Sequence, residues 1–561
     1  MALALGLTHS TLALAQGQPL SPYDISRVPQ KTPPAPAQPL GLPPAASAAA
    51  AQNATPRFVL REVQFDGAAT IPPSRLTSAW TDYRDKPVSL ADLRAIGRAA
   101  EHIYADAGYP FVAVVLKVQE VQGGIVHYDV IEGRITDLTI LGSDPTARRQ
   151  ATAALQPLVN RQPLSLAEVE SAYEIARRVP GLNVAGALRR GSEPGGMDLV
   201  VTAKRDEPWR FYANVNNLYA DPVGPWGVLA GADYTGSTQY GDQGSAQVYT
   251  SVPTGQQVLA RGSYFIGLDS EGTQIGMSGL WGKADPKGQF TQLQLAADIA
   301  TGRVEISQPL IARPDLLITA DVGFDVNNQR TQVFGNESLS NDKLRIISAT
   351  LTGEAIGPYG QWDGSVAVRR GLDVLGASNR GDPNLSRVDG DPQATVLKAS
   401  LHGETPALDK VSLVLKSDFQ YSGDRLLAPD QYTPGNLSIG RGYQPGAAVG
   451  DSAAAGSIEV RVGPYQLPKS VQAEPFVFLD SVYLKNNGGA AFDSRALFSF
   501  GGGVRLQLAQ MLHVDVIYAV PEDAILPGGA KPPSLLLLNL TIGLNEAFSA
   551  IHRSLESEAK K

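Results

Sequence analysis

After Asp206 the chain runs for more than three hundred residues without helical periodicity. In its place, segments of about ten residues alternate apolar and polar side chains, the pattern of membrane barrel strands. Roughly sixteen such segments are expected, from 209–219 to 533–544, an even number as bacterial barrels have. The long connections expected at 328–341, 372–392, 423–453, 485–496 and 521–532 all fall on alternate junctions. Long outer loops and short periplasmic turns segregate in this way. The faces separate too: Leu512, Val514, Val516 and Tyr518 share one side of a segment, and His513 and Asp515 the other. In the last segment Leu536, Leu538, Leu540, Ile542 and Leu544 oppose Asn539 and Thr541. A soluble all-β protein would alternate as well, but the loop segregation favours a barrel in lipid. No run of about 18 apolar residues offers a transmembrane helix. A closed barrel is then the remaining way to satisfy every backbone polar group in a bilayer.

The first two hundred residues read differently. Residues 2–15 end in Ala13-Leu14-Ala15 before Gln16, the pattern of a secretory signal peptide, although its basic start is missing. Residues 16–56 are rich in Pro, Ala and Gln, and read as an extended linker that cannot bury a core. From Phe58 the order predicted is strand (58–65), short helix (71–80), longer helix after Ser89, then strands at 111–118 and 125–131. Ser89 with Asp92 three residues on is a helix cap, and Gly108 a stop. A second copy begins at 135–141, with helices at 147–159 and after Ser165-Leu-Ala-Glu168, and a closing hairpin of 184–189 with 197–203. Two units of this kind present strand edges able to hold an extended polypeptide by strand addition.

The stretch Ile439-Gly440-Arg441-Gly442-Tyr443-Gln444-Pro445-Gly446 lies in a long polar connection, followed by segments carrying Glu459 and Phe478-Leu479-Asp480. This order resembles the sixth outer loop and following strands of two-partner-secretion transporters. Tyr104-x-x-x-Gly108-Tyr109, Gln119, Gly124 and Glu132-Gly133 likewise resemble a POTRA domain of the haemolysin-secretion type. The resemblance covers residues from about 58 to 545. It implies α+β POTRA domains followed by an all-β transmembrane barrel of about 16 antiparallel strands. The implied map is a signal peptide (1–15), linker (16–56), first POTRA domain (57–134), second POTRA domain (135–206), barrel (207–545) and C-terminal extension (546–561). It implies that Arg441, Gly442 and Tyr443 fold back into the lumen, where Arg441 meets Asp480 beside Phe478, with Glu459 as a competing partner. The sequence departs from the family at Val482, where glycine is usual, at Val118, where proline precedes the glutamine, and at its non-aromatic end. Ser21–Arg27 is the one stretch able to begin the plug helix that the family places in the pore.

The implied function is export of a large partner protein, adhesin or haemolysin in type, unfolded, from periplasm to cell surface, by a monomer in outer-membrane lipid. An insertase that assembles other barrels is the alternative; a passive porin would not need the POTRA pair. The formal charge of −8 supplies no basic face for nucleic acid. Absence of cysteine removes disulfides and thiolate metal sites. The histidines His9, His102, His127, His402, His513 and His552 have no metal-ligand spacing, and no cofactor is expected. Gly450-Asp451-Ser452 resembles an esterase nucleophile block, and Asp389-Gly390-Asp391 a partial cation loop; both read as turns. No enzymatic activity is expected.

Overall fold

The computed structural model describes residues 40–41, 58–252, 256–335, 337–435, 438–468, 471–488, 492–508 and 511–545. The signal peptide, most of the linker with Ser21–Arg27, and the 546–561 extension lie outside the described residues.

The first α/β unit has a three-stranded sheet, with Ile125–Ile131 between Glu62–Asp66 and Ala113–Leu116. Its long helix, Leu90–Asp106, is fixed at its start by Ser89 and Asp92, each bonding the other's backbone amide. Leu93, Ile96, Ala100 and Tyr104 recur at helical spacing and are buried. The single strand expected over 58–65 is two, Phe58–Val59 and Glu62–Asp66, because Phe58–Val59 pairs instead with Pro87–Val88. The strand expected at 111–118 shrinks to Ala113–Leu116, since Phe111 turns away into the next unit's core. Buried Glu132 accepts the amides of Ala69 and Thr70 and the Tyr104 hydroxyl. Burial, with the Glu132 charge added, pushes the Tyr104 phenol up to about 12.

The second unit repeats the order. Its sheet sets Gly196–Arg205 between Arg134–Leu141 and Leu182–Arg190. Its helices are Pro145–Leu155, capped by Asp144, and Leu166–Arg178, which opens on the Ser165–Glu168 box. The two units are joined tightly. Phe111 sits in the second core, and a side chain at Gly133 would meet its Cβ and carbonyl at 2.5 Å. Leu164 N–H donates to Gly133 and Leu166 N–H to Gly108, both at 3.0 Å.

Sixteen long antiparallel strands then close into a barrel, from Trp209–Asn216 round to Leu535–Gly543, which pair with each other. Alternation is strict where it decides the faces. Phe476, Phe478, Asp480, Val482 and Leu484 are buried inward, while Val477, Leu479 and Tyr483 are exposed on the outside. The expected long connection at 328–341 is instead strand. Leu316–Val333 and Glu337–Gly357 run 18 and 21 residues and turn tightly between. The run Asn327-Asn328-Gln329-Arg330-Thr331 is polar on both faces, so it carries no alternation signal although its backbone stays paired. Similarly, the strand expected at 290–301 is displaced to Ala296–Ala312, behind a short helical turn at Gly288–Leu293.

The second unit seats on the barrel's near rim. Gln150 Nε2 donates to Thr238 O at 3.0 Å, and Arg205 Nη2 to Thr235 O and Gly236 O at 2.7 and 2.8 Å. Arg178 reaches Glu354 at 3.1 Å on another near-side strand end.

Candidate functional site

The connection between Val411–Tyr421 and Ser452–Val462, the sixth on the far side, folds into the lumen. Its apolar residues make this possible. Ile439, Tyr443 and Ala448 bury against Ala453, Ala455, Val482, Leu484 and Leu497 of the wall. Val482, the departure from the family's glycine, is thus a packing residue for the loop, fully buried and near Gly440.

Arg441 lies at the inner end. Its Nε donates to Asp480 Oδ2 at 3.0 Å and its Nη2 to Oδ1 at 2.8 Å, a forked contact. The backbone amides of Gly440 and Arg441 donate to the same carboxylate, at 3.2 and 2.8 Å. Nη1 donates to Glu459 Oε2 at 2.6 Å, and Nη2 also reaches Ser457 Oγ at 2.9 Å. The guanidinium stacks on Phe478, 3.5 Å from the ring centroid. Asp480 and Glu459 therefore do not compete; they take different nitrogens of one planar cation.

Gly442 is required by contact. A side chain there would stand 2.7 Å from Ser499 Cβ and 2.9 Å from Pro521 N, while its amide donates to Ser499 Oγ at 3.2 Å. Tyr443 crosses to the strand Ser494–Leu508 and to the connection that follows Leu512–Pro521. Its hydroxyl donates to Phe498 O at 2.8 Å and accepts from Asp523 N–H at 3.1 Å.

The network extends beyond the residues expected from sequence. Glu459 Oε1 also accepts from Arg461 Nε at 2.8 Å and Arg505 Nη1 at 2.7 Å, and Arg461 reaches Glu404 at 3.0 Å. Arg505 lies over Phe476 at 4.1 Å. The rings of Phe476 and Phe478 occupy space left by Gly503 and Gly501, whose added side chains would meet those rings at 2.8 Å. Ser457, Ser499, Arg461, Arg505 and the Gly501-Gly502-Gly503 run escaped the sequence reading. Inward parity on their strands was the available signal for all of these except Gly502, which faces outward with Val477.

Above this site, Asp451 is wholly buried and ties three outer connections together. It accepts from Arg387, from the amides of Leu426 and Asn487 at 3.2 and 2.8 Å, and from Gln431 Nε2 at 3.1 Å. It is a structural hub, and the Gly450-Asp451-Ser452 block is part of that knot. Asp389 pairs with Arg425 at 2.7 Å and Asp391 caps the Gln393 amide at 2.8 Å, so that stretch is a braced turn.

A family model described as haemolysin secretion/activation protein ShlB/FhaC/HecB matches residues 195–506. The chain belongs to that family. It is an outer-membrane transporter of the two-partner-secretion class. A model of the ShlB-type POTRA domain matches residues 58–133. Among curated relatives, the outer membrane transporter CdiB of Dickeya dadantii is 24% identical over 476 residues, 81% of each chain. The Escherichia coli outer membrane transporter CdiB is 22% identical over 485 residues, 80% of this chain and 76% of its own. The fold is similar to solved CdiB structures. That from Escherichia coli has a TM-score of 0.74 at 18% identity, covering 90% of this chain and 94% of its own. That from Acinetobacter baumannii has a TM-score of 0.65 at 14% identity, with 88% and 91% covered. The POTRA part of this transporter is periplasmic, so the near rim of the barrel faces the periplasm and the lumenal loop enters from the cell surface. The insertase alternative fits these matches less well than the exporter.

Proposed function

We propose that this transporter recognises one large exoprotein through its two α/β units and passes it, unfolded, through the barrel as a monomer. The observation that carries this reading is the seating of the second unit on the periplasmic rim by Gln150 and Arg205. A segment held on a strand edge of that unit is delivered at the pore mouth. Sixteen strands enclose an aqueous channel rather than a filled core. The Arg441 network gathers the inward loop against the strands Ser452–Val462, Val471–Lys485 and Ser494–Leu508. That arrangement gives the arginine a wall position in place of a free charge in the conduit. No nucleotide loop is visible in the sequence, so refolding of the client outside supplies the direction of movement.

The test is a client carrying an inserted domain closed by a disulfide. Unfolded passage requires that export stall with the bond formed and resume when a reductant opens it. Equal export in both states would overturn the unfolded route.

A further inference from the structure

On the outer wall of the barrel, small residues stand side by side across consecutive strands. Ala232 faces Ala246, Ala246 faces Gly262, Gly262 faces Gly279 and Gly279 faces Gly302. Exposed large side chains border this row, Val248 and Trp281 along one margin and Tyr264, Met277 and Val304 along the other. The result is an open apolar trough of about 800 Å³ on the lipid-facing surface, ended at Phe211. Four gaps of about 4.8 Å between strands make the row about 19 Å long.

Nothing inside the protein asks for residues this small. Gly262, Gly279 and Gly302 are absent from the positive-φ positions, so their backbone accepts any side chain. A Cβ on Gly302 would meet no atom within 4 Å, and one on Gly262 would meet only Ser245 O at 3.7 Å. Glycine weakens a strand, and glycine inside one often marks close approach by a ligand or another chain. The outward pair Gly353 and Gly364 is different, because Ile318 and Leu401 close it at either end.

The direction of the trough identifies what fills it. This wall lies in the outer membrane, so the medium against it is lipid. Ala232 is close to Thr235, the periplasmic end of its strand, whereas Gly302 is far from Ala312, the periplasmic end of its own. The row therefore climbs from the periplasmic boundary into the hydrocarbon layer. At its lower mouth the Trp209 ring lies 4.6 Å from Tyr234 and 6.0 Å from Phe211, an aromatic girdle of the kind that marks a membrane interface. Arg149 of the second unit is exposed at the adjoining turn, its Nη2 donating to Ser237 O at 2.5 Å, and brings a cation to the level of lipid phosphates.

We propose that this trough seats one acyl chain of a phospholipid from the periplasmic leaflet, held as a fixed component of the transporter. The glycines give the chain its depth, and Trp281, Met277 and Val304 flank it. Lipopolysaccharide chains descend from the opposite leaflet and would meet the trough at its closed upper end.

The test compares the full transporter with its Gly262→Leu/Gly302→Leu double variant in mild detergent, by native mass spectrometry after adding phosphatidylethanolamine. Both leucines have room at their Cβ positions, and heat-modifiable migration on a gel checks that the variant barrel is closed. Wild type should carry one phospholipid through detergent washing. Filling the trough should lower that retention about tenfold or more, the loss expected when a chain gives up about two methylene contacts. Phosphatidylethanolamine with brominated chains should quench wild-type tryptophan emission to a limit at one lipid per transporter, and Trp281→Phe should remove that component. The quenching arm uses the native trough, so it decides the matter if the leucines disturb folding. Equal retention by wild type and a closed double variant, or quenching without a limit, would overturn the seat. Retention of lipopolysaccharide in place of phosphatidylethanolamine, or a dimer that the leucines dissociate, would overturn the phospholipid as its occupant.

Discussion

Arg441 and Asp480 meet through two parallel N–H···O bonds inside the lumen, with the Asp480 side chain fully removed from solvent. A lysine at 441 reaches one oxygen as a point charge but cannot serve Asp480, Glu459 and Ser457 at once. Arg441→Lys should therefore secrete measurably less client than wild type, at equal transporter abundance, with the deficit smaller than in Arg441→Ala.

Gly442→Ala tests the contact rather than the charge. The added methyl meets Ser499 Cβ and the Pro521 backbone, and overpacking of this kind costs about 1–3 kcal/mol. The loop should leave its seat while the barrel stays closed. Proteolysis from the cell surface should then cut within 423–447, with unchanged heat-modifiable mobility of the barrel on a gel.

Asp451→Ala removes the acceptor shared by Arg387, Leu426, Gln431 and Asn487. An unpaired buried arginine costs about 3–5 kcal/mol, concentrated in three outer connections and not in the strand ladder. Surface protease should cleave 372–394 and 486–493 faster than in wild type. Arg387→Ala should reproduce the pattern.

Phe111→Ala empties a site shared by the two α/β units. Truncating a buried phenylalanine costs about 3–5 kcal/mol. Both units should keep their own helices, but their junction should loosen. Tryptic cleavage after Arg134 in the intact transporter should accelerate, and resistance equal to wild type would show that Phe111 does not couple them.

How much of this was legible in the sequence depended on which physical signal each part leaves. Strands in lipid must alternate, so the sixteen-strand barrel and the inward parity of Asp480 and Glu459 could be read from the pattern. Helix caps at Ser89 and Ser165 are local, and were equally plain. The ends of the strands were not, because beyond the bilayer the ladder at Asn327–Thr331 continues without an apolar face. Arg441 as the loop's cation came from resemblance to a family; the second acceptor's role came only from geometry, since Glu459 and Asp480 take different nitrogens. Gly501 and Gly503 carried no signal of their own in the sequence. They are the space into which Phe478 and Phe476 turn, a cross-strand relation that no local pattern records.

Lumenal seating of the loop through Arg441 should be needed for export and not for the barrel. It is tested most directly by client in the medium, normalised to transporter in the outer membrane. Arg441→Ala and Asp480→Ala each strand the opposite charge, at about 3–5 kcal/mol for a fully buried pair. Both should lower secretion strongly at near-normal abundance. Arg441→Asp combined with Asp480→Arg should recover part of the loss, held below wild type by Glu459 beside the new aspartate. Wild-type secretion from both alanine variants would show that export does not need the seated arginine.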